Sequence, residues 1–177
     1  CASRGLGDVY KRQIFNLLGP HTNPCNAKRQ ILGVYDKGLL KTFGNVSNLL
    51  KMHHVLVVHG NDGLDEISIT DKTFVTELKD GNLNQFEIQP EDFGLSRANI
   101  TALKAETPEE SLELINAAFE GKESPVQDMI SLNAGASLYL SSASNSIKDG
   151  VSLAKELLNN GKAKQTFSSY IEMTNSL

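Results

Sequence analysis

The chain has 177 residues, a formal net charge of −4 and an apolar fraction of 40%, which suits one domain with a substantial core. No basic patch or Arg-rich run favours nucleic acid, and no apolar stretch reaches the length of a membrane span. Two cysteines, Cys1 and Cys25, make no disulfide framework and fit a reducing, cytoplasmic compartment.

The first residue is Cys rather than Met, and residues 1–13 read as foreign linker sequence ahead of a native chain that starts at Ile14. A native strand and turn of unusual sequence is the alternative. On the first reading, residues 14–177 form one α/β domain. Asn16 through Lys28 holds two prolines, a glycine and several polar residues and reads as an ordered loop. Ile31 to Tyr35 reads as a short strand. Leu39, Leu40, Phe43, Val46, Leu49 and Leu50 recur at helical spacing, so a helix joins this strand to Val55-Leu56-Val57-Val58. That run is apolar throughout, as in a strand buried on both faces. The unit is βαβ, with parallel strands and a right-handed crossover.

After Val58 the chain reads His59-Gly60-Asn61-Asp62-Gly63-Leu64-Asp65-Glu66. Neighbouring side chains on a strand point to opposite faces, so Asp65 and Glu66 share a ligand only on a turn, which Gly60 and Gly63 permit. Two carboxylates on a loop at the carboxyl end of a strand suit a hydrated magnesium ion that also holds a phosphate. A solvated acidic turn is the competing reading. Beyond it, Ile67 to Thr70, Thr73 to Leu78 and Asn84 to Ile88 look like shorter strands, with a turn at Asp80-Gly81.

Helices follow. Thr107-Pro108-Glu109-Glu110 is a capping box with Pro at the first helical position, and Gly121 is a stop. Pro125 opens a second helix, in which Ala134-Gly135-Ala136-Ser137 is small enough for another backbone to pack closely. Ser146 caps a third that ends near Asn159-Asn160-Gly161. A last helix carries Ala163, Phe167, Tyr170 and Ile171. The predicted fold is a central mixed sheet flanked by helices. The histidines and cysteines lack compact zinc spacing, so His59 reads as a satisfied histidine at a strand end. No Gly-x-Ser-x-Gly elbow supports hydrolase chemistry.

Ile14-Phe15-Asn16-Leu17-Leu18-Gly19-Pro20, Thr22-Asn23-Pro24, Leu32-Gly33-Val34-Tyr35, the acidic loop, Pro90-Glu91-Asp92-Phe93-Gly94-Leu95 and Leu132-Asn133-Ala134-Gly135-Ala136 occur in that order. Together they resemble the anthranilate phosphoribosyltransferase family, from about Ile14 to the C-terminus. The resemblance implies the C-terminal part of the nucleoside phosphorylase/phosphoribosyltransferase catalytic domain. It also implies transfer of phosphoribosyl from phosphoribosyl diphosphate (PRPP) to anthranilate in tryptophan biosynthesis, with release of pyrophosphate. It assigns Mg2+ to Asp65 and Glu66. It places Gly19 and Pro20 on the route by which anthranilate enters, although the same segment reads equally as a rigid packing loop. His21 stands where the family carries an apolar residue.

The resemblance implies a homodimer for the intact enzyme, paired through an N-terminal helical domain. The family's glycine-rich diphosphate loop and anthranilate-binding Arg have no counterpart in the chain. By spacing, that Arg falls near Leu6, with Arg4 and Arg12 out of register. The chain by itself is therefore expected to be inactive. A pyrimidine nucleoside phosphorylase or another paralogue of the same fold is an alternative. A non-catalytic nucleic-acid or metabolite-binding relative is another.

Overall fold

The centre of the molecule is strand β2 (His54–Gly60), whose residues Val55 to Val58 are wholly buried. Val55 and Val57 join one core cluster, Leu56 and Val58 the other, because successive side chains on a strand face opposite ways. The computed structural model describes residues 19–176. The suspected linker at residues 1–13, and the stretch Ile14 to Leu18, lie outside the described residues.

Strand β1 (Arg29–Gly33) pairs in parallel with β2, with Gly33 opposite Val58. Helix α1 (Leu39–Leu49) connects them. Its buried stripe is Leu40, Phe43, Gly44 and Ser47, which sets Leu40 and Phe43 against Val55 and Val57. Leu49 and Leu50, expected on the same stripe, are exposed instead. The helix ends there, and the chain turns through Lys51 at φ 53°. Strands β3 (Thr73–Lys79) and β4 (Asn82–Ile88) add antiparallel neighbours, giving the order β1-β2-β3-β4. Asp80 and Gly81 both adopt positive φ, the hairpin turn that their sequence predicts.

The predicted strand Ile67 to Thr70 is absent. Ile67 and Ile69 are buried, which produces the alternation a strand would show, but Ser68 is buried as well. The backbone of this segment bonds largely to side chains rather than to a neighbouring strand. Ser68 N donates to Thr73 Oγ1, and Thr70 N donates to Ser68 Oγ. Buried polar main chain must find partners, and here the partners leave no ladder.

The other face of the sheet is covered by helix α3 (Pro125–Leu140) and helix α4 (Ile147–Asn159). Leu132, Ala136, Leu140, Ile147 and Val151 pack with Leu56, Val58 and Val75. Each of these Leu, Ile and Val side chains contributes about 1.5–3 kcal/mol on burial. Ser124 and Ser146 cap these helices through their hydroxyls. Helix α2 (Pro108–Phe119) is capped by Thr107, but Glu110 accepts from Glu106 N rather than completing the reciprocal box. Helix α5 (Lys162–Asn175) touches the body through Phe167, whose ring lies 5.3 Å from that of Phe119. Tyr170 and Ile171 of its expected stripe are exposed. Among the described residues no helix is long and apolar enough to cross a membrane.

Helices α3 and α4 cross where both carry glycine. A Cβ on Gly135 would lie 2.5 Å from Val151 N, and one on Gly150 would lie 2.2 Å from Gly135 O. Both collisions are with backbone, which does not yield as a flexible side chain does. Gly150→Val is therefore expected to destabilise by at least about 3 kcal/mol. That corresponds to a drop of about 6–12 °C in the thermal midpoint, which calorimetry or circular dichroism would read.

Candidate functional site

Strands β1 and β2 are parallel, so their carboxyl ends lie side by side, and the loop after β2 folds back over the end of β1. Gly60 N donates to Leu64 O at 2.8 Å, and Gly63 N donates to Gly60 O at 2.9 Å. Gly63 sits at φ 91°, a conformation that excludes most other residues. A Cβ on Gly60 would come within 2.4 Å of Asp62 Oδ1. A Cβ on Gly33 would meet Asp65 O at 1.6 Å and Asp65 C at 2.6 Å. The main chain of Asp65 thus rests directly on the last residue of β1, and only glycine leaves room for it.

The interior of the loop is organised by Asp62. Its carboxylate accepts hydrogen bonds from the hydroxyls of Ser68 and Thr70 and from Leu64 N. Partial burial opposes ionisation, but the hydrogen bonds from Ser68, Thr70 and Leu64 outweigh it and hold the carboxyl below its ordinary value of 3.8. A carboxyl whose folded value is depressed stabilises the fold above its unfolded value, and that stabilisation is lost as pH falls through the folded value. The stability difference between the unsubstituted chain and Asp62→Asn is accordingly expected to be full at pH 7. It should shrink as pH falls below 3.8, in urea unfolding of both proteins. Arg97 adds an outer tie between Asp71, Glu91 and Gln89, an exposed network that salt weakens.

Asp65 and Glu66 are exposed and line one wall of a cavity of about 490 Å3. Ile100, Leu103, Leu114 and Met129 supply apolar walls, and Lys104 stands at the edge. Neither carboxylate is engaged in a hydrogen bond or ion pair among the described residues. Among the described residues no group of three or more His, Cys, Asp or Glu comes together as a complete metal cage. Two unengaged carboxylates and open space fit a cation that keeps much of its shell in water or phosphate oxygens, as magnesium does.

Gly19 and Pro20 lie elsewhere. They form a 3-10 turn, Gly19–His21. Pro20 lines a cavity of about 70 Å3 with Asn23, Lys28, Leu50 and Met52, none of which borders the acidic cavity. His21 fills the apolar position expected there by tilting its ring against Phe43 at 5.0 Å while Nε2 approaches Ser47 Oγ. His59 is satisfied as expected, its Nδ1 lying 2.8 Å from Val34 O. Sequence reasoning did not single out Gly33, Asp62 or Asn133 as supports of the loop. Asn133 was visible as a polar residue on an otherwise apolar helix stripe, a signal that it has a buried partner.

A family model described as "Glycosyl transferase family, a/b domain" matches residues 6–164. The anthranilate phosphoribosyltransferase of Methanobrevibacter smithii is 45% identical over 165 residues, which is 93% of this chain and 49% of that protein. A crystal structure of the Thermus thermophilus enzyme superposes with a TM-score of 0.82 at 36% identity, covering 90% of this chain and 47% of that one. A Saccharomyces cerevisiae enzyme solved in complex with PRPP and Mg gives a TM-score of 0.75 at 28% identity, covering 84% of this chain and 43% of that one. The chain thus spans about half the length of the relatives it matches.

Proposed function

Because this chain belongs to the glycosyl transferase family by its α/β domain, we propose that it forms the α/β part of an anthranilate phosphoribosyltransferase. The intact protein would transfer phosphoribosyl from PRPP to anthranilate, releasing pyrophosphate, in the cytoplasmic biosynthesis of tryptophan. The observation that carries this reading is the pair Asp65 and Glu66, unengaged among the described residues and exposed on a loop held at the carboxyl ends of two parallel strands. Ligands of open α/β sheets bind outside the carboxyl ends of the strands, which is this same edge.

The amine of anthranilate would form a bond to the anomeric carbon of PRPP as the bond from that carbon to the pyrophosphate oxygen breaks. The amine nitrogen then gives up a proton to water, and the electron pair of the broken bond leaves on pyrophosphate. Asp65 and Glu66 would hold Mg2+, which when bound neutralises charge on the leaving group. The chain's own work is placement. Gly33 lets the Asp65 main chain sit against β1, Gly60 and Gly63 turn the loop, and Asp62 ties its interior. Gly19 and Pro20 would line the approach of anthranilate, and two copies would pair through the helical part of the intact enzyme.

A protein carrying this chain joined to the remaining half of the family's length is expected to consume anthranilate, read as loss of its fluorescence, only with both PRPP and Mg2+ present. Turnover of a pyrimidine nucleoside and phosphate, with no loss of anthranilate, would replace this reading with the phosphorylase one.

A further inference from the structure

The acidic pair is followed at once by Ile67, whose main chain is gripped from across the molecule. Asn133, on helix α3, accepts from Ile67 N through Oδ1 at 3.0 Å and donates from Nδ2 to Ile67 O at 2.9 Å. Its second amide hydrogen goes to Met129 O at 3.1 Å. A carboxamide offers a donor and an acceptor side by side, as a neighbouring peptide group does. Asn133 therefore takes the place of a missing strand partner at this point of the chain. Ile67 itself is 1% exposed, so both of its backbone groups need a partner inside the protein. On the other side of the pair, Asp65 rests on Gly33. Glu66 lies between these two fixed points, and no other residue intervenes.

We infer that Asn133 is a positioning residue: by clamping both backbone groups of Ile67 it sets where the Asp65 and Glu66 carboxylates stand, and so the spacing of two ligands to a divalent cation. The inference rests on the metal reading of that pair. The Asn133 side chain bonds only to main-chain atoms, those of Ile67 and Met129, among the described residues, and so acts through the main chain. The fold supplies a rigid base for it, because α3 is fixed against α4 by the Gly135 and Gly150 contact. Losing a group that orients a metal ligand from behind typically costs about 10- to 100-fold in metal affinity.

The test uses the 177-residue chain, labelled with 15N, and the variants Asn133→Asp and Asn133→Ser. Asn133→Asp keeps the shape but removes both donors and turns a negative oxygen toward Ile67 O and Met129 O. Asn133→Ser is milder and is too short to span the gap. Amide exchange at Ile67, whose N–H then loses its acceptor, is expected to rise about 10-fold in Asn133→Ser, the size of one lost hydrogen bond. Exchange in β2 and β3 should stay at the unsubstituted rates. Mn2+ alone, followed by water proton relaxation, is expected to bind about 10-fold more weakly to each variant.

Faster exchange spread evenly over β2 and β3 would make Asn133 a general stabiliser and overturn the inference. Unchanged exchange at Ile67 in Asn133→Ser would overturn it too. Mn2+ binding that is lost in Asp65→Asn but intact in both Asn133 variants would overturn the inference and leave the metal reading standing. Mn2+ binding that is absent, or indifferent to Asp65→Asn, would remove the metal reading and the clamp's purpose with it.

Discussion

Asp65→Asn and Glu66→Gln are each expected to lower turnover of the intact enzyme by about 100- to 1000-fold, the loss seen when one preorganised charge-stabilising group is removed. Each substitution keeps size and shape and removes one negative charge from the wall of the acidic cavity. The fold should not suffer, because both residues are exposed and neither side chain has a partner to lose among the described residues. Charge on pyrophosphate grows toward the transition state, so the effect should fall mainly on turnover rather than on anthranilate binding. Steady-state kinetics at saturating and limiting Mg2+ would separate the two. Unchanged turnover and unchanged metal dependence in both variants would return the loop to a solvated turn.

Gly33→Val should produce a loss of similar character by a different route. The first atom of any side chain at position 33 would overlap Asp65 O, at 1.6 Å from it. The strand is fixed by its register with β2, so the loop must move. A displacement of about 1 Å in a positioning group can cost about 100-fold in rate. The same variant should keep its sheet, because Gly33 is the exposed last residue of β1. Far-UV circular dichroism close to that of the unsubstituted protein, together with a loss of activity, is the expected pair of results. Full activity would mean that the loop tolerates the shift and that its contact with β1 is incidental.

Much of the framework was legible from the residues. Val55 to Val58 carried the pattern of a doubly covered strand, and Asp80-Gly81 carried its hairpin. Thr107 and Ser146 cap helices in the structure as their sequence predicts, and Ser124 caps the helix that Pro125 opens. These features depend on a few adjacent residues, which is why they can be read locally. The position of Asp65 and Glu66 at the carboxyl end of β2 followed from the same reasoning.

What failed was non-local. Ile67 to Thr70 has strand-like alternation, yet its hydrogen bonds go to Thr73, to its own Ser68 and, from Ile67, to Asn133. Nothing near Ile67 in sequence announces a partner 66 residues away. Gly33 reads as one small residue in a short strand, and its role exists only once the later loop folds onto it. The exposed ends of helix α5 and of the α1 stripe show the converse. Periodicity says which residues share a face, but not whether anything lies against that face.

Asp65 and Glu66 are proposed to hold the metal that accompanies PRPP. The most direct measurement is a crystal structure of the intact protein with PRPP and Mn2+, the ion located by its anomalous scattering. The expected result is density about 2.0–2.2 Å from a carboxylate oxygen of Asp65 or Glu66, with water or diphosphate oxygens completing the shell. Manganese bound to the diphosphate but away from both carboxylates, with neither reaching it directly or through one water, would contradict the account.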